Sequence, residues 1–338
     1  MARTEYGDIS QRTAAWAYGT MLEHAEPVNL LGKFADIKPI PRNKAETIKF
    51  RRPIPFTAAT TPLTEGVTPS ARQMLYEDVT VSLLQFGEVV VITDKVHDLN
   101  EDPVLQDAAM MAGENAGRTL EQVIYGVVKG GTSVFYANGA SRPAVNTAIS
   151  LNKQRLVTRY LKNQKAKKFT RILSGSVMIG TRPVEASYVC VAHTDLEADI
   201  RNLTGFVPTA EYGQRQLLCD HEIGSVEDVR YVLSPDLEAF ADAGGTPGSS
   251  VESTSGSAAD VYPMLYFGMH AFGCTPLKGS KVDGKNNMAM KPTVINPDSV
   301  SKSDILGQRG YVGWKTWFNA VRLNETWMAR LEVAATAL

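Results

Sequence analysis

Two stretches in which apolar and polar residues alternate lie in the first third of the chain. Their apolar positions are Ile48, Phe50, Val79, Val81 and Leu83. A period of two predicts β-strands, and the Thr-, Ala-, Pro- and Gly-rich residues 57–69 between them predict a polar tip. We therefore predict a hairpin over residues 44–93 with arms of about 10–15 residues. Because an isolated two-stranded ribbon is marginally stable in water, we expect this one to lie on another surface, which another molecule could supply.

A helical spacing of apolar residues follows the ribbon. Asp102-Pro103 has the form of a helix start, with a carboxylate as N-cap and proline at the first helical position. Apolar residues then recur three and four positions apart until Gly130-Gly131, which predicts the helix end. The predicted helix, about residues 103–129, would be roughly 40 Å long at 1.5 Å per residue. A helix of this length is typical of an element on which a domain is built.

The rest of the pattern predicts shorter elements and irregular stretches. We predict a helix over residues 152–164, a strand over 188–192 and a helix that begins at Thr194. Residues 243–259 are rich in Gly and Ser and poor in apolar residues, so we expect a mobile loop there. We expect a second irregular stretch over 278–303. Near the end, two predicted strands each place apolar residues on one face: Val312, Trp314 and Phe318, then Trp327, Ala329, Leu331 and Val333.

The composition narrows the class of protein. The 338 residues are 43% hydrophobic and 21% charged with a formal net charge of −1, which is typical of a globular protein and predicts no broad basic surface. No apolar run reaches the roughly 18–20 residues of a membrane span, and we expect no secretory signal. The three cysteines, Cys190, Cys219 and Cys274, lack the spacing of a zinc site or a disulfide framework.

One stretch resembles a nucleotide site in part. Residues 279–286 are one residue short of a phosphate-binding loop, and Asn286 stands where Ser or Thr should hold magnesium. The ordinary interpretation is a flexible loop. A soluble α/β enzyme, nucleotide-linked through this stretch, remains the alternative function. The five histidines are scattered, and no catalytic constellation is apparent.

A basic cluster is the main charge feature of the chain. It extends from Lys153 to Arg171 without an acidic residue, and its principal members are Lys153, Arg155, Arg159, Lys162, Lys165, Lys167 and Lys168. The ordinary interpretation is a solvated helix face. The functional alternatives are contact with phosphates inside a container and contact with the acidic residues 231–277 of a neighbouring copy.

The order of these elements, with several sequence stretches, resembles a known family. The stretches are residues 7–10, 47–52, 59–69, 101–105, 195–203, 222–227 and 307–317, and they span nearly the whole chain. They resemble the major capsid proteins of tailed bacteriophages, in the branch named after the coat protein of the N-four-like podophages.

The resemblance implies an α+β fold of the Hong Kong 97 type. Its parts would be an N-arm (1–43), an E-loop (44–93), a P-domain with the spine helix (94–185), an A-domain (186–307) and C-terminal strands returning to the P-domain (308–338). Hexamers and pentamers would form an icosahedral virion shell around double-stranded DNA. We therefore expect no catalytic residue, cofactor or metal.

Partners and contact residues also follow from the resemblance. Besides its own copies, the protein would meet a separate scaffold protein, a portal, a decoration protein and the packaged DNA, and it would assemble in the host bacterial cytoplasm. We expect Trp16, Arg51, Arg52 and Glu65 to contact neighbouring subunits. We expect the basic cluster to face the lumen or its DNA.

Overall fold

A computed structural model gives the fold of the chain. The structure describes residues 30–338 except 67, 100–103, 174–180, 214, 249, 279, 283–285, 289 and 298–303. Trp16 and the predicted helix start at Asp102-Pro103 therefore lie outside the described residues. None of the described helices is both long enough and apolar enough to cross a bilayer.

The helices are few, and one dominates. They are α1 (Asp94–Leu99), α2 (Val104–Lys129), α3 (Leu151–Asn163) and α4 (Glu197–Arg201), with 3-10 turns at Leu31–Phe34, Arg142–Ala144, Thr194–Leu196, Thr209–Glu211 and Glu325–Trp327. The 26 residues of α2 match the predicted long helix, and we call α2 the spine helix. Its small residues Ala108, Ala109, Ala112 and Ala116 pack with Val312 and Trp314. The predicted helix at 152–164 is confirmed as α3.

In the described part of the chain, the strands form two larger sheets and two hairpins. Their bounds are β1 (Asp36–Ile37), β2 (Thr47–Pro53), β3 (Tyr76–Ser82), β4 (Leu84–Thr93), β5 (Val134–Tyr136), β6 (Phe169–Leu173), β7 (Thr181–Ala192), β8 (Phe206–Pro208), β9 (Glu222–Val226), β10 (Val229–Leu233), β11 (Val261–Phe267), β12 (Phe272–Pro276), β13 (Ser280–Val282), β14 (Asn286–Met288), β15 (Met290–Ile295), β16 (Arg309–Arg322) and β17 (Met328–Ala334).

The smaller sheet packs on the spine helix. Its strands run in the order β1-β12-β16-β15, and β4 pairs with β16 from the other side. Along β16 the buried side chains include Val312, Trp314 and Phe318, so the predicted face is confirmed. Trp314 Nε1 donates a hydrogen bond to Asn115 Oδ1 of the spine helix at 3.2 Å. The other face of this sheet points away from the helix.

The larger sheet contains one of the two C-terminal strands. Its order is β5-β17-β11-β7-β10-β9-β8, with β6 on β7. Of the two C-terminal strands, β16 joins the smaller sheet, whereas β17 lies between β5 and β11 in the larger one. The expected boundary between residues 185 and 186 falls inside β7. A long strand such as β7 can belong to both the expected P-domain and the expected A-domain, and an alternating apolar pattern does not show where one domain ends.

The Gly- and Ser-rich residues 243–259 are tied to the body of the protein, contrary to the expected mobile loop. Gly245 N donates to Val145 O at 2.8 Å, and Glu252 N donates to Ala335 O at 3.0 Å. Backbone hydrogen bonds replace the missing apolar packing here, and composition alone does not predict them.

The inner end of the predicted arm is also part of the body. Leu30, Leu31 and Phe34 are buried, and the Phe34 ring contacts Phe169 and Phe267 at centroid distances of 5.8 Å. Strand β1 then pairs in parallel with β12. The arm as predicted, over residues 1–43, therefore extends too far into the chain.

Candidate assembly surface

The ribbon consists of β2 and β3 and is shorter than expected. These antiparallel strands pair Thr47 with Ser82 at one end and Pro53 with Tyr76 at the other. Residues 84–93, which the sequence assigns to the ribbon, form β4 of the smaller sheet. The paired arms therefore have seven residues each, and residues 54–75 form the tip.

The base of the ribbon is fixed to the body. Phe50 and Val81 are buried there, and Lys38 Nζ lies 4.9 Å from the centroid of the Phe50 ring. A cleft of about 260 Å³ separates the ribbon from the body, and its wall includes His270 and Trp327. The ribbon thus projects from a fixed root.

The charges on the ribbon are paired across its two strands. Arg51 donates from Nε to Asp78 Oδ1 at 2.7 Å and from Nη2 to Oδ2 at 3.0 Å. Arg52 Nε donates to Glu77 Oε2 at 2.7 Å. The hydrogen bonds from Arg51 lower the pKa of Asp78 and raise that of Arg51. Arg51 and Arg52 thus already have partners within the chain, which the sequence did not predict.

The tip of the ribbon exposes apolar side chains, and among the described residues only Leu63 of these lies within the predicted polar stretch 57–69. The exposed large residues from position 54 to 76 are Ile54, Phe56, Leu63, Met74, Leu75 and Tyr76. Phe56 is 57% exposed and Leu63 is 76% exposed. The tip also contains Glu65, which is exposed. Arg72 Nη1 donates to Thr57 O at 2.8 Å and so joins the two sides of the tip. Exposed apolar side chains gathered in one segment favour association with another surface.

The smaller sheet carries a second apolar surface, on the face away from the spine helix. Val89, Ile295 and Trp317 are exposed there, and Val89 is 62% exposed. Gly87 and Gly313 lie in a cleft of about 750 Å³ on this face. A Cβ on Gly313 would meet the carbonyl oxygen of Glu88 at 2.5 Å, so only glycine fits that position. We call this surface the outer sheet face.

Some residues of the basic cluster form ion pairs with acidic residues of the same chain, and the others lie at the surface. Arg155 is bound to Glu227 at 2.6 Å, and Asp228 binds both Lys162 and Lys168, the latter at 2.9 Å. Hydrogen bonding to Lys162 is the main cause that lowers the pKa of Asp228. The acids lie on the turn between β9 and β10, far away in sequence. The remaining members are half-buried or exposed on the surface of α3 and the segment after it: Lys153, Arg159, Lys165 and Lys167.

The chemical alternatives gain no support from the described residues. A phosphate-binding loop continues into a helix, whereas residues 280–288 contain the antiparallel strands β13 and β14. In the described part of the chain, no group of three or more His, Cys, Asp or Glu side chains is placed to hold a metal ion. The three cysteines are buried and unpaired, and burial raises the pKa of the Cys219 thiol to about 11.

Comparison with known proteins adds an independent line of evidence. A family model described as "Phage capsid protein" matches residues 76–279, which is more than half of the chain. The chain belongs to this phage capsid protein family. The match begins at the first residue of β3 and continues past β12. The narrower resemblance to the N-four-like branch stays a prediction.

Solved capsids share the fold of this phage capsid family member. The capsid asymmetric unit of cyanophage Pam1 matches with a TM-score of 0.63 at 12% identity, covering 100% of this chain and 97% of the other. The capsid of Ralstonia phage GP4 matches with a TM-score of 0.62 at 13% identity, covering 90% of each chain. At such identities the likeness establishes the fold, which is the expected α+β fold of the Hong Kong 97 type.

A curated relative is similar over part of its length. The major capsid protein of Pseudomonas phage KPP21 is 21% identical over 187 residues, which are 52% of this chain and 46% of that protein. The alignment therefore spans about half the length of this relative. It also leaves the assembly partners of this chain to be argued from its own surfaces.

Proposed function

We propose that this member of the phage capsid family is a structural major capsid protein whose copies assemble into hexamers and pentamers of an icosahedral shell. The observation that carries the proposal is the ribbon, whose root is fixed to the body while the described residues of its tip expose five large apolar side chains. A chain that acts alone would cover such a cluster, because exposed apolar patches favour association. In the proposed shell a neighbouring copy covers it.

The outer sheet face is the surface of the neighbouring copy that best fits the tip. Both surfaces expose apolar side chains, and Glu65 on the tip is opposite in charge to Lys315 on the face. Burial of apolar area stabilises such a contact by roughly 25 cal/mol per Å². In this arrangement Glu65 keeps its expected contact with another subunit. Arg51 and Arg52 instead stiffen the ribbon.

The interior of the shell and its other partners are part of the same proposal. Lys153, Arg159, Lys165 and Lys167 would face the packaged double-stranded DNA and bind its phosphates weakly and without sequence preference. A scaffold protein, a portal and a decoration protein would accompany the shell, which would form in the host cytoplasm. Trp16 would contact a neighbouring subunit.

Negative-stain microscopy of the purified or scaffold-co-expressed protein tests the proposal. We expect shells of uniform diameter from the wild-type chain. Deletion of residues 57–69 should give a folded protein without regular shells, because it removes Leu63 and Glu65 and shortens the tip, while the paired strands and their root remain. A control with Thr60→Ser and Thr61→Ser keeps the tip and should assemble. Normal shells from the deletion variant would contradict the role of the ribbon. A wild-type protein that remains unassembled, both when purified alone and when co-expressed with a scaffold protein, would contradict the proposed function.

A further inference from the structure

A buried carboxylate joins the spine helix to the first described residues of the chain. The side chain of Glu121 is fully buried. Its Oε2 accepts hydrogen bonds from Leu30 N and Leu31 N, each at 3.0 Å, and its Oε1 accepts from Leu31 N at 2.9 Å. The 3-10 turn Leu31–Phe34 has no side-chain cap of its own at Leu30. Glu121 therefore caps this turn from a distant part of the sequence.

The groups around Glu121 compensate its charge only in part. Asp236, in the turn after β10, repels the carboxylate and is itself paired with Arg118 at 3.2 Å. Lys33 of the 3-10 turn attracts it. On β12, burial raises the pKa of the Cys274 thiol, which keeps it neutral. In the described part of the chain, no lysine or arginine forms an ion pair with Glu121.

Burial is the largest influence on this carboxyl group. It raises the pKa of Glu121 to about 7, against the opposing effect of the hydrogen bonds from Leu31 and Leu30. A carboxyl group exposed to water titrates near pH 4.3. The attached state therefore binds a proton more readily than a state in which residues 30–34 have moved away and water reaches Glu121. Its stabilisation of the attached state is complete at acid pH and is lost as the pH rises through about 7.

We infer that Glu121 is a pH-dependent latch that holds residues 30–34 on the spine helix and loosens as the carboxyl group loses its proton. The ionised form makes the hydrogen bonds seen here, but it also carries an incompletely compensated charge in an apolar core. Detachment of residues 30–34 gives that charge access to water. This inference concerns a single chain and does not depend on assembly into a shell.

Hydrogen exchange measured by mass spectrometry on the full-length protein tests the latch. The readout is the protection of the amides of residues 30–36, corrected for the intrinsic pH dependence of exchange. With a pKa near 7 in the attached state and near 4.5 in the detached state, linkage predicts that protection falls about tenfold between pH 6 and pH 8.5. Peptides from α3, whose buried residues Val157 and Leu161 belong to a different core cluster from Leu30 and Leu31, serve as the internal reference and should keep constant protection.

Two variants separate Glu121 from other titrating groups. Glu121→Gln keeps the shape and a carbonyl acceptor but does not titrate, so its protection at residues 30–36 should be independent of pH. The pair of His270 and Asp36, with Nδ1 and Oδ2 at 2.5 Å, remains intact in this variant and is therefore common to both proteins in the comparison. Asp107→Asn removes an exposed carboxylate from the same helix and should behave like wild type. Protection of residues 30–36 that does not change with pH in wild type, or that falls equally in Glu121→Gln, would overturn the latch. If Glu121→Gln does not fold, the pH dependence of wild-type protection relative to the reference peptides decides whether the latch exists.

Discussion

The strongest test of the assembly surface removes apolar area from the ribbon tip without touching its root. The perturbation is the double substitution Phe56→Ser and Leu63→Ser. These side chains are 57% and 76% exposed in the single chain, so they contribute little to its folding. The hydrogen bond from Arg72 to Thr57 and the pairing of β2 with β3 remain. The variant should therefore be as stable as wild type while it is still monomeric.

The size of the effect on assembly follows from the exposed fractions. Full burial of a large apolar side chain stabilises by about 1.5–3 kcal/mol. For side chains that are half to three-quarters exposed, coverage by a neighbour is worth about 1–2 kcal/mol each, or about 2–4 kcal/mol per subunit for both. Since about 1.4 kcal/mol corresponds to a factor of ten, the protein concentration needed for assembly should rise about 30- to 1,000-fold.

Sedimentation and light scattering across a concentration series measure that threshold, and circular dichroism checks the fold. The conservative variant Phe56→Leu with Leu63→Met keeps most of the apolar area and should assemble near the wild-type threshold. Val89→Ser on the outer sheet face removes a side chain that is 62% exposed and should raise the threshold in the same direction. If the double serine variant assembles at the wild-type concentration, the tip is not buried between copies and the reasoning fails. A normal threshold for Val89→Ser alone would place the tip on another surface.

Two further predictions concern buried and outward charge. Glu332 is fully buried and binds Arg142 through two hydrogen bonds of 2.8 Å and Arg330 through an ion pair of 2.8 Å. Glu332→Ala should therefore lower the free energy of unfolding, measured by guanidinium denaturation, by about 3–5 kcal/mol, and a loss under about 1 kcal/mol would contradict this prediction. Glu197→Ala breaks an exposed ion pair and should lower the free energy of unfolding by about 0.5 kcal/mol or less. Glutamine at Lys153, Arg159, Lys165 and Lys167 should leave shells intact but lower their DNA content, whereas Arg155→Gln should not; unchanged DNA content would favour a merely solvated helix face.

Local signals predicted the helices and the buried face of β16 well. The spine helix ends at Lys129, where Gly130-Gly131 indicates. The alternation around Val312 and Trp314 fixed which side of β16 faces the helix. Such features depend on neighbouring residues, so the chain itself carries enough information to predict them.

Strand partners were beyond the reach of the sequence. Residues 84–93 form part of the smaller sheet, although they follow the ribbon strand β3 after a single residue. What assigns β4 to the sheet and not to the ribbon is its pairing with β16, and β16 lies more than 200 positions later in the chain. The same limit applies to β17, whose own alternation does not indicate its partners β5 and β11.

The partners of the charged residues could not be predicted either, because they too are distant in sequence. Arg155 meets Glu227 across 72 positions, because α3 packs beside the turn between β9 and β10. A basic run without acidic neighbours in sequence therefore has acidic neighbours in space. The Gly- and Ser-rich stretch shows the same for hydrogen bonds, since Asp242 accepts from Ser255 N at 3.0 Å and so fixes the local backbone.

The distribution of satisfied and unsatisfied groups on the ribbon decides the character of the contact it makes. Its principal charges, Arg51 and Arg52, already bind Asp78 and Glu77 of the same ribbon, and both pairs lie in water, where ion pairs contribute little. These pairs instead join β2 to β3 in the observed register. The apolar side chains at the tip are the groups left without cover. An interface formed by this ribbon is therefore stabilised mainly by apolar burial. Arg51 and Arg52, which the sequence suggested as contacts between subunits, instead stabilise the ribbon itself.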